Sequence, residues 1–256
     1  MEISARYPDL EGKVAVVTGG SRGIGAATAQ ALAANGCAVV AVGRDEAALA
    51  GVVEAIEALG GQALAVRADC TIEGEVAHMA ELAHERFGPV DIVAPFAGGA
   101  GMPVPTPRET PAHWREVLES DLTATFITIR SFLEDMTQKG AGSIVTMSSA
   151  AARQPARSNA AYAAAKAGVI ALTRHLAAEL APAGIRANSI APAAVENDRM
   201  RAAMTDEQLE QLGRSFPLGR IGQPADVAAA ALFLASDASS WITGVTLDVA
   251  GGRIIV

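Results

Sequence analysis

The sequence predicts a doubly wound α/β fold, with a parallel sheet of about seven strands and helices on both faces. Short apolar, β-branched runs alternate with longer stretches of helical spacing over the first two thirds of the chain. These runs lack polar alternation, which is typical of strands that are buried on both faces. The length of 256 residues lies near the upper limit of one hydrophobic core, so we expect a single domain over residues 1–256.

The first strand–helix unit covers residues 14–18 as a strand, a glycine-rich turn, and residues 24–35 as an Ala-rich helix that ends before Gly36. The second covers residues 38–42 and a helix that begins at the cap Asp45 and stops at Gly60. The other predicted strands cover residues 63–66, 92–94, 143–147, 186–190 and 246–249. The other predicted helices cover residues 71–87, 110–138 and 160–180.

The regular alternation breaks at residues 193–216, a polar stretch that follows the sixth strand. Within it, Thr205-Asp206-Glu207-Gln208 resembles a capping box, which predicts the start of a helix. We expect a short helical insertion at this strand's carboxyl end, where it would serve as a substrate lid.

Composition narrows the classes of function. Half of the residues are hydrophobic, largely Ala and Val, and aromatic side chains make up only 4%, which predicts helices packed closely on the sheet. The net charge of −8 disfavours binding to nucleic acid or to anionic membranes. The longest apolar run, residues 227–235, is far shorter than the roughly 20 residues of a membrane span. We therefore expect neither nucleic acid nor membrane as a partner.

Cysteine and histidine usage predicts no metal site. Cys37 and Cys70 are the two cysteines, which are too few for a disulfide framework or a zinc set and are most simply small hydrophobes. The histidines lack the spacing of helical metal ligands: His78, His84, His113 and His175. Two unpaired cysteines are typical of a reducing compartment, by default the cytoplasm.

A glycine-rich turn directly follows the first predicted strand, with the sequence Thr18-Gly19-Gly20-Ser21-Arg22-Gly23-Ile24-Gly25. Glycines at a strand-to-helix turn let the backbone approach a pyrophosphate, and the N-terminus of the next helix favours an anion. The location between the first strand and the first helix predicts a dinucleotide site. The alternative is a tight turn that serves close packing only.

The end of the second strand indicates which dinucleotide binds. Proteins that bind NAD usually place a carboxylate there for the ribose 2′-hydroxyl, whereas this chain has Gly43 followed by Arg44. Arg44, and Arg22 in the glycine turn, offer guanidinium donors to a 2′-phosphate, although each is also compatible with a solvated surface arginine. Together they favour NADP over NAD.

A second motif lies in the helix predicted over residues 160–180. Tyr162 and Lys166 are four residues apart, so they share one helix face. A lysine ammonium stabilises a neighbouring phenolate, so the pair can act as general acid and base, although this spacing also arises by chance. Ser149 follows the fifth strand, where α/β sheets present groups to ligands. A hydrolase would need a Gly-x-Ser-x-Gly elbow at that serine, which the sequence lacks.

Both motifs resemble those of the short-chain dehydrogenase/reductase family. The family's Thr-Gly-x-x-x-Gly-x-Gly turn is matched by Thr18, Gly19, Gly23 and Gly25. Its Ser and Tyr-x-x-x-Lys set is matched by Ser149, Tyr162 and Lys166. The resemblance covers nearly the whole chain, and the 3-oxoacyl-[acyl-carrier-protein] reductase branch resembles it most. It implies a Rossmann-type fold, a nicotinamide dinucleotide and a homotetramer or homodimer held by the helices over residues 110–138 and 160–180.

The resemblance also implies a role for each catalytic side chain. Ser149 would orient and polarise the substrate carbonyl, Tyr162 would exchange a proton with the substrate oxygen, and Lys166 would hold the nicotinamide ribose and activate the tyrosine. Asp69 would accept a hydrogen bond from the adenine amino group, or else cap the next helix. The positions implied to bind the cofactor are Gly19, Ser21, Arg22, Gly23, Ile24, Gly25, Arg44, Asp69, Cys70, Ala97, Gly98, Tyr162, Lys166, Pro192 and Val195.

The chain departs from the family pattern at two places near this site. The family's Asn-Asn-Ala-Gly after the fourth strand is Pro95-Phe96-Ala97-Gly98 here, and a proline is tolerable only where the strand ladder ends. The fourth catalytic position, an asparagine in the family, is Asp121. An ionised carboxylate near Lys166 would favour the neutral form of the tyrosine and weaken its activation.

These motifs predict an NADP(H)-dependent oxidoreductase that transfers a hydride between nicotinamide and a ketone or secondary alcohol. The family leaves several substrate classes open: 3-oxoacyl thioesters, polyketide-type ketones, and steroid or sugar carbonyls. Two alternatives use the same pocket without this chemistry. One is a catalytically impaired dinucleotide-binding scaffold, which the departures suggest, and the other is a nucleotide-sensing regulator.

Overall fold

A seven-stranded parallel sheet forms the centre of the computed structural model, which describes residues 5–155 and 158–255. Across the sheet the strands follow the order β3-β2-β1-β4-β5-β6-β7, and every neighbouring pair is parallel. The strands are β1 (Val14–Thr18), β2 (Ala38–Gly43), β3 (Gln62–Arg67), β4 (Ile92–Pro95), β5 (Gly142–Met147), β6 (Ile185–Pro192) and β7 (Thr246–Val249). All seven predicted strands are confirmed, and their ends differ from the predicted ends by about two residues at most.

Helices connect the strands along the described chain. They are α1 (Gly23–Ala34), α2 (Glu46–Glu57), α3 (Glu73–Phe87), α4 (Pro111–Leu118), α5 (Ala124–Arg130), α6 (Leu133–Lys139), α7 (Ala160–Leu180), α8 (Asp198–Ala203), α9 (Asp206–Arg214) and α10 (Pro224–Ala235). In the part of the chain that the structure describes, no helix combines the length and the apolar character that crossing a bilayer requires.

The prediction of a single helix over residues 110–138 is wrong. A π-helical turn at Glu119–Thr123 separates α4 from α5, and Ser131 and Phe132 separate α5 from α6. Such π turns are often found at functional sites, and this one contains the fully buried Asp121. Phe132 leaves the helical backbone with a φ of −122° and buries its ring completely. Helical spacing continues through both interruptions, so the sequence pattern does not indicate them.

Helices cover both faces of the sheet, as predicted, and alternate strand residues enter two separate cores. On β1, Ala15 and Val17 pack with α1, α2 and α10, whereas Val14 and Val16 pack with α3, α5 and α7. Alanine is abundant in α1 and α10, which pack against each other in the first core. Small side chains let helices and sheet approach closely, which accounts for the excess of alanine over aromatic residues.

The strand order reverses between β1 and β4, and this reversal places the site. The chain leaves β1 toward β2 and β3 and then returns to the other side of β1 as β4. Doubly wound sheets bind ligands in the crevice that opens at the carboxyl ends of the strands at such a point. Pro95 is the last residue of β4, and the pairing of β4 with β5 already stops at Val93. The proline therefore stands where the ladder ends.

Residues 193–216 follow β6 and contain two short helices, α8 and α9. Thr205 and Gln208 form a capping box at the start of α9, because each side chain bonds the other's backbone N–H. Leu209 and Phe216 pack with Ile221 in a small apolar core of their own. Much of the insertion therefore packs locally, while Val195 near its start belongs to the first main core.

Candidate active site

The glycine turn brings the end of β1 into direct contact with the start of α1. A Cβ atom on Gly25 would lie 2.1 Å from the carbonyl oxygen of Gly19, and one on Gly19 would lie 2.9 Å from the carbonyl oxygen of Phe96. Gly19 and Gly23 also have φ values of 66° and 53°, in the left-handed region that side chains disfavour. Three of the residues predicted to bind the cofactor therefore form a turn that only glycine permits.

The N-terminus of α1 offers unbonded backbone amides at this turn. Within the described residues no side chain caps the helix, since Arg22 at the N-cap position makes no capping bond. Gly23, Ile24 and Gly25 form the first turn of the helix, and the helix dipole adds positive potential there. This combination suits a pyrophosphate. The residues present therefore fit a dinucleotide.

A cavity of about 480 Å³ opens beside the turn, next to the carboxyl ends of β2 and β3. Its lining is polar and charged: Ser21, Arg22, Arg44, Asp45, Glu46 and Arg67. The Arg44 side chain is 78% exposed and its guanidinium lies 3.8 Å from a carboxylate oxygen of Asp69. Three arginines around one cavity provide a place for an anionic group.

Arg22 lies in this cavity wall, but its guanidinium pairs with the carboxylate of Asp45. Asp45 caps α2 by accepting a hydrogen bond from the N–H of Ala48 at 3.0 Å. That N–H, together with the nearby Arg22, holds the pKa of Asp45 below its ordinary value. The sequence indicates Asp45 as a cap but not as the partner of Arg22. Because the pair is open to solvent, a phosphate can compete with Asp45 for the arginine.

Asp69 and Cys70 follow the carboxyl end of β3. Asp69 Oδ1 accepts hydrogen bonds from the N–H and the hydroxyl of Thr71, at 3.0 and 2.8 Å, so it closes a turn before α3. The N–H of Thr71, with its hydroxyl and Arg44, holds the pKa of Asp69 below its ordinary value. Burial raises the pKa of the Cys70 thiol to about 11, so this side chain is a neutral member of the apolar core beneath the site.

Lys166 is the buried centre of the predicted catalytic group. Its Nζ lies 3.0 Å from Oδ1 of Asp121 and donates to the carbonyl oxygen of Met147, at the end of β5, at 3.0 Å. The two charged side chains are 4% and 0% exposed. The hydroxyl of Ser148 donates to the carbonyl oxygen of Lys166 at 2.8 Å. Two hydrogen bonds therefore fix α7 to the end of β5.

Tyr162 stands one turn before Lys166 on α7, as the spacing predicts. Nζ of Lys166 lies 5.6 Å from the centre of the Tyr162 ring. Ser149 follows the end of β5, and its hydroxyl oxygen accepts the N–H of Ala151 at 3.2 Å. That bond uses a lone pair and leaves the O–H proton for an acceptor. The structure thus clusters Tyr162, Lys166 and Asp121 and places Ser149 at the strand end that holds Lys166.

The segment after β4 connects the two halves of the site. The N–H of Ala97 donates to the hydroxyl of Thr18 at 3.1 Å, which ties the segment to the glycine turn. A Cβ atom on Gly98 would lie 2.6 Å from Oδ1 of Asp121, and that oxygen accepts the N–H of Gly99 at 2.8 Å. Ala97 therefore adjoins the dinucleotide turn, and Gly98 adjoins the Asp121–Lys166 pair.

Pro192 and Val195 lie at the base of the insertion over residues 193–216. Pro192 ends β6, where it pairs with Val249 of β7. Val195 forms an isolated parallel bridge with Gly222, two residues before α10. Both predicted cofactor residues thus stand at the carboxyl edge of the sheet.

Glu109 and Asn159 belong to the site although the sequence analysis missed them. The buried carboxylate of Glu109 accepts the N–H groups of Ala160 and Ala161 at 3.1 and 3.3 Å. Asn159 Oδ1 caps α7 by accepting the N–H of Tyr162 at 2.7 Å. An asparagine directly before a helix is an N-cap signal that the sequence does carry. Glu109 is 51 residues away from Ala160, so no local pattern indicates it.

Replacing Gly25 with alanine is expected to abolish dinucleotide binding, because the new Cβ would overlap the Gly19 carbonyl at 2.1 Å and force the turn apart. Fluorescence titration with NADPH measures the loss of binding, and thermal unfolding measures the effect on stability. Gly51→Ala is the matched control: Gly51 lies within α2 with no atom near its Cβ position, so alanine there should add about 0.5–1 kcal/mol of stability. Equal NADPH affinity in Gly25→Ala and the parent protein would contradict the prediction.

At the carboxyl edge of the sheet, the site therefore combines an anion-binding helix end with a phenol and a buried ammonium. Among residues 5–155 and 158–255, no three His, Cys, Asp or Glu side chains cluster in a way that could hold a metal ion. The profile of a family described as enoyl-(acyl carrier protein) reductase matches residues 19–253, nearly the whole chain. The chain belongs to the short-chain dehydrogenase/reductase family. Members of this family are oxidoreductases that act on alcohol or ketone groups with a nicotinamide dinucleotide.

Curated members of the family are similar over almost their full length. 7alpha-hydroxysteroid dehydrogenase of Escherichia coli (strain K12) is 38% identical over 246 residues, which are 96% of this chain and 95% of that enzyme. 3beta-hydroxysteroid dehydrogenase 1 of Eggerthella lenta is 42% identical over 254 residues, which are 97% of this chain and 96% of that enzyme. The family assignment made from the two motifs is therefore confirmed.

Solved structures of the family confirm the fold. The 3-oxoacyl-[acyl-carrier protein] reductase of Brucella melitensis superposes with a TM-score of 0.92 at 33% identity, covering 100% of this chain and 98% of its own. A 7 alpha-hydroxysteroid dehydrogenase in complex with NADH and 7-oxo glycochenodeoxycholic acid superposes with a TM-score of 0.89 at 37% identity, covering 98% of both chains. A third structure, with bound NADP, is described as a putative NAD(P)-dependent gluconate 5-dehydrogenase from Beutenbergia cavernae. It superposes with a TM-score of 0.88 at 38% identity, covering 96% of this chain and 98% of its own.

Proposed function

We propose that this family member is an NADP(H)-dependent enzyme that exchanges a hydride between the nicotinamide and a ketone or secondary alcohol. The observation that carries the proposal is Tyr162 beside the buried ammonium of Lys166, at the edge of the sheet that also holds the glycine turn. The dinucleotide supplies the hydride donor or acceptor when it is bound. The proton and the orientation of the substrate are left to the protein.

Ser149 and Tyr162 act on the same substrate oxygen. In reduction, the Ser149 hydroxyl donates a hydrogen bond to the carbonyl oxygen and polarises it, and Tyr162 delivers a proton to that oxygen as negative charge develops there. In oxidation, the phenolate of Tyr162 accepts the proton of the alcohol. Lys166 stabilises the phenolate, and the carboxylate of Asp121, 3.0 Å from its Nζ, offsets part of that effect.

The preference for NADP is supported by the residues around the cavity at the end of β2. Gly43 stands where NAD-binding proteins usually have a carboxylate, and a Cβ there would lie 3.3 Å from the Ser21 side chain. Arg44 is exposed, and the Asp45 carboxylate that pairs with Arg22 is open to solvent, so both arginines can turn to a 2′-phosphate. Relatives bind either cofactor: NADH is bound in one similar structure and NADP in another.

Replacing Arg44 with alanine is expected to raise the KM for NADPH about tenfold, because one charge-assisted hydrogen bond to a phosphate is worth about 1.5–3 kcal/mol. The KM for NADH should stay within about twofold, since NADH has no 2′-phosphate to lose. Steady-state kinetics with both cofactors measure the change, and Arg115→Ala on α4 is the control. If the KM values for NADPH and NADH rise equally, Arg44 does not recognise the phosphate.

A dinucleotide-binding scaffold without turnover is the second candidate function, and the pairing of Asp121 with Lys166 favours it. The deciding experiment incubates the protein with NADPH and a panel of ketones and follows the absorbance of the reduced cofactor. Turnover of any ketone supports the oxidoreductase. Binding of NADPH without turnover on the whole panel supports the scaffold, or a sensor built on it.

The ketone panel needs two chemical classes. A 3-oxoacyl thioester and a polyketide-type ketone represent the open-chain class, which the similarity to 3-oxoacyl-[acyl-carrier-protein] reductases suggests. An oxosteroid and a substituted cyclohexanone represent the ring class, which the names of several relatives suggest: 7alpha- and 3beta-hydroxysteroid and cis-4-hydroxycyclohexanecarboxylate dehydrogenases. The ratio of kcat/KM between the classes assigns the substrate.

We also propose that residues 1–256 form a single domain with residues 193–216 as its substrate lid, and that the chain forms a homo-oligomer. Leu247 on the edge strand β7 is exposed, and Trp241, in the turn that precedes this strand, is fully exposed. Exposed apolar side chains at a sheet edge are typical of an interface between subunits. Light scattering should therefore give a mass of two or four times 26.1 kDa, and a mass of 26.1 kDa would contradict the proposal.

A further inference from the structure

Residues 98–102, which we call the strap, lie across the ring of Tyr162. A Cβ atom on Gly101 would lie 3.0 Å from Cε1 and 3.2 Å from Cζ of that ring, so the bare glycine backbone packs on the phenol. Gly98 and Gly99 have φ values of 127° and 106°, which side chains rarely adopt. The glycines therefore let the strap lie directly against the ring of Tyr162.

Asn159 fastens the strap to the catalytic helix. Its Nδ2 donates to the carbonyl oxygens of Ala100 and Met102, at 2.7 and 3.0 Å, while its Oδ1 accepts the N–H of Tyr162 at 2.7 Å. The residue is only 1% exposed, and these bonds use both protons of its amide group. One side chain thus links the backbone of Tyr162 to the second half of the strap.

We propose that Asn159 is a positioning residue that holds the strap against Tyr162 and so fixes one wall of the substrate site. The inference rests on the proposed function, because this wall matters to catalysis only if Tyr162 acts on a substrate. The wall is apolar where it continues: Met102 is 69% exposed and is followed by Pro103, Val104 and Pro105. Such a surface suits the hydrocarbon body of a ketone and not a charged group.

The two roles of Asn159, capping α7 and holding the strap, can be separated. Glu109 accepts the N–H groups of Ala160 and Ala161, so the start of α7 keeps these two bonds in any variant of residue 159. Serine is a good N-cap, but its short side chain has a single O–H and cannot donate to both strap carbonyls. Aspartate keeps the oxygen that caps the helix but faces those carbonyls with a second oxygen.

The experiment compares Asn159→Ser and Asn159→Asp with the matched control Asn35→Ser. Asn35 directly follows α1, is also buried and also fastens a separate segment to a helix end. Its Oδ1 accepts the N–H of Tyr7, and its Nδ2 donates to the carbonyl oxygen of Ala31. The measurements are amide hydrogen exchange of peptides that cover the strap, NADPH affinity, and KM and kcat for a ketone that the parent protein reduces.

We expect exchange in the strap to become at least about tenfold faster in both Asn159 variants and to stay unchanged in Asn35→Ser. The KM for the ketone should rise about tenfold in both, with a smaller change in kcat and with NADPH affinity within about twofold. A residue that only stabilised the fold would not change KM for the ketone alone. Asn35→Ser should lower the unfolding temperature without this change in KM.

Unchanged strap exchange in both Asn159 variants would overturn the proposal, as would a KM that rises equally in Asn35→Ser. Faster exchange with an unchanged KM would also overturn it, because the strap would then be held but would not be a wall of the site. Absence of turnover in the parent protein is a separate outcome. It defeats the proposed function, while the exchange measurement still decides whether Asn159 holds the strap.

Discussion

Tyr162→Phe is expected to lower kcat for ketone reduction by about a thousandfold, since positioned proton donors contribute about 10²–10⁴-fold. Phenylalanine keeps the ring on which Gly101 packs and leaves the pairing of Lys166 with Asp121 in place. The variant therefore loses the phenolic proton and little else. Steady-state kcat is the measurement, and NADPH affinity by fluorescence titration should change by less than about twofold.

The chain has two tyrosines, so the same substitution at Tyr7 is a matched control. Tyr7 is partly buried against the core formed by α1, α2 and α10, and the same hydroxyl group is removed there. The kcat of Tyr7→Phe should remain within about twofold of that of the parent protein. If Tyr162→Phe retained more than about a tenth of the parent kcat while Tyr7→Phe was normal, the proton would come from another group and the proposed mechanism would be wrong.

The sheet is the part of the fold that the sequence predicts best. The strands β1, β2 and β4 are short apolar runs without polar alternation, and this local property is sufficient because both faces of a central parallel strand are buried, whereas the edge strands β3 and β7 are partly exposed. The helix over residues 110–138 shows where local patterns stop. The helical backbone is interrupted at Phe132, whose ring is completely buried, and the π turn contains the buried Asp121. Both features depend on contacts with distant parts of the chain.

The candidate site also combines features that local sequence predicts with contacts between distant segments. Spacing within one helix predicts that Tyr162 and Lys166 are neighbours, and a glycine pattern predicts the tight turn, because both are local geometry. The sequence also indicates Asp121 as an unusual residue beside Lys166. It does not indicate the bonds of Asn159 to the strap or the pairing of Arg22 with Asp45, since these contacts form only when separate loops meet at the edge of the sheet.

Asp121→Ala is expected to lower the free energy of unfolding by about 3–5 kcal/mol, the cost of leaving one partner of a buried ion pair uncompensated. The ammonium of Lys166 would lose its carboxylate partner and keep its bond to the carbonyl of Met147, and the N–H of Gly99 would lose its acceptor. Urea unfolding measures the loss. The exposed pair Arg214–Glu210 on α9 is the control: Glu210→Ala should change stability by less than about 1 kcal/mol. Similar losses at the two sites would contradict a structural role for Asp121.

Asp121→Asn separates this structural role from an electrostatic one. The amide oxygen can still accept the N–H of Gly99 and face Lys166, so the variant should fold, but it no longer neutralises the ammonium. The positive charge of Lys166 would then act in full on Tyr162 and favour its phenolate. We therefore expect kcat for alcohol oxidation, in which the phenolate accepts the proton, to stay the same or to rise. A loss of kcat of about a hundredfold in a normally folded Asp121→Asn protein would show instead that the carboxylate has a catalytic task of its own.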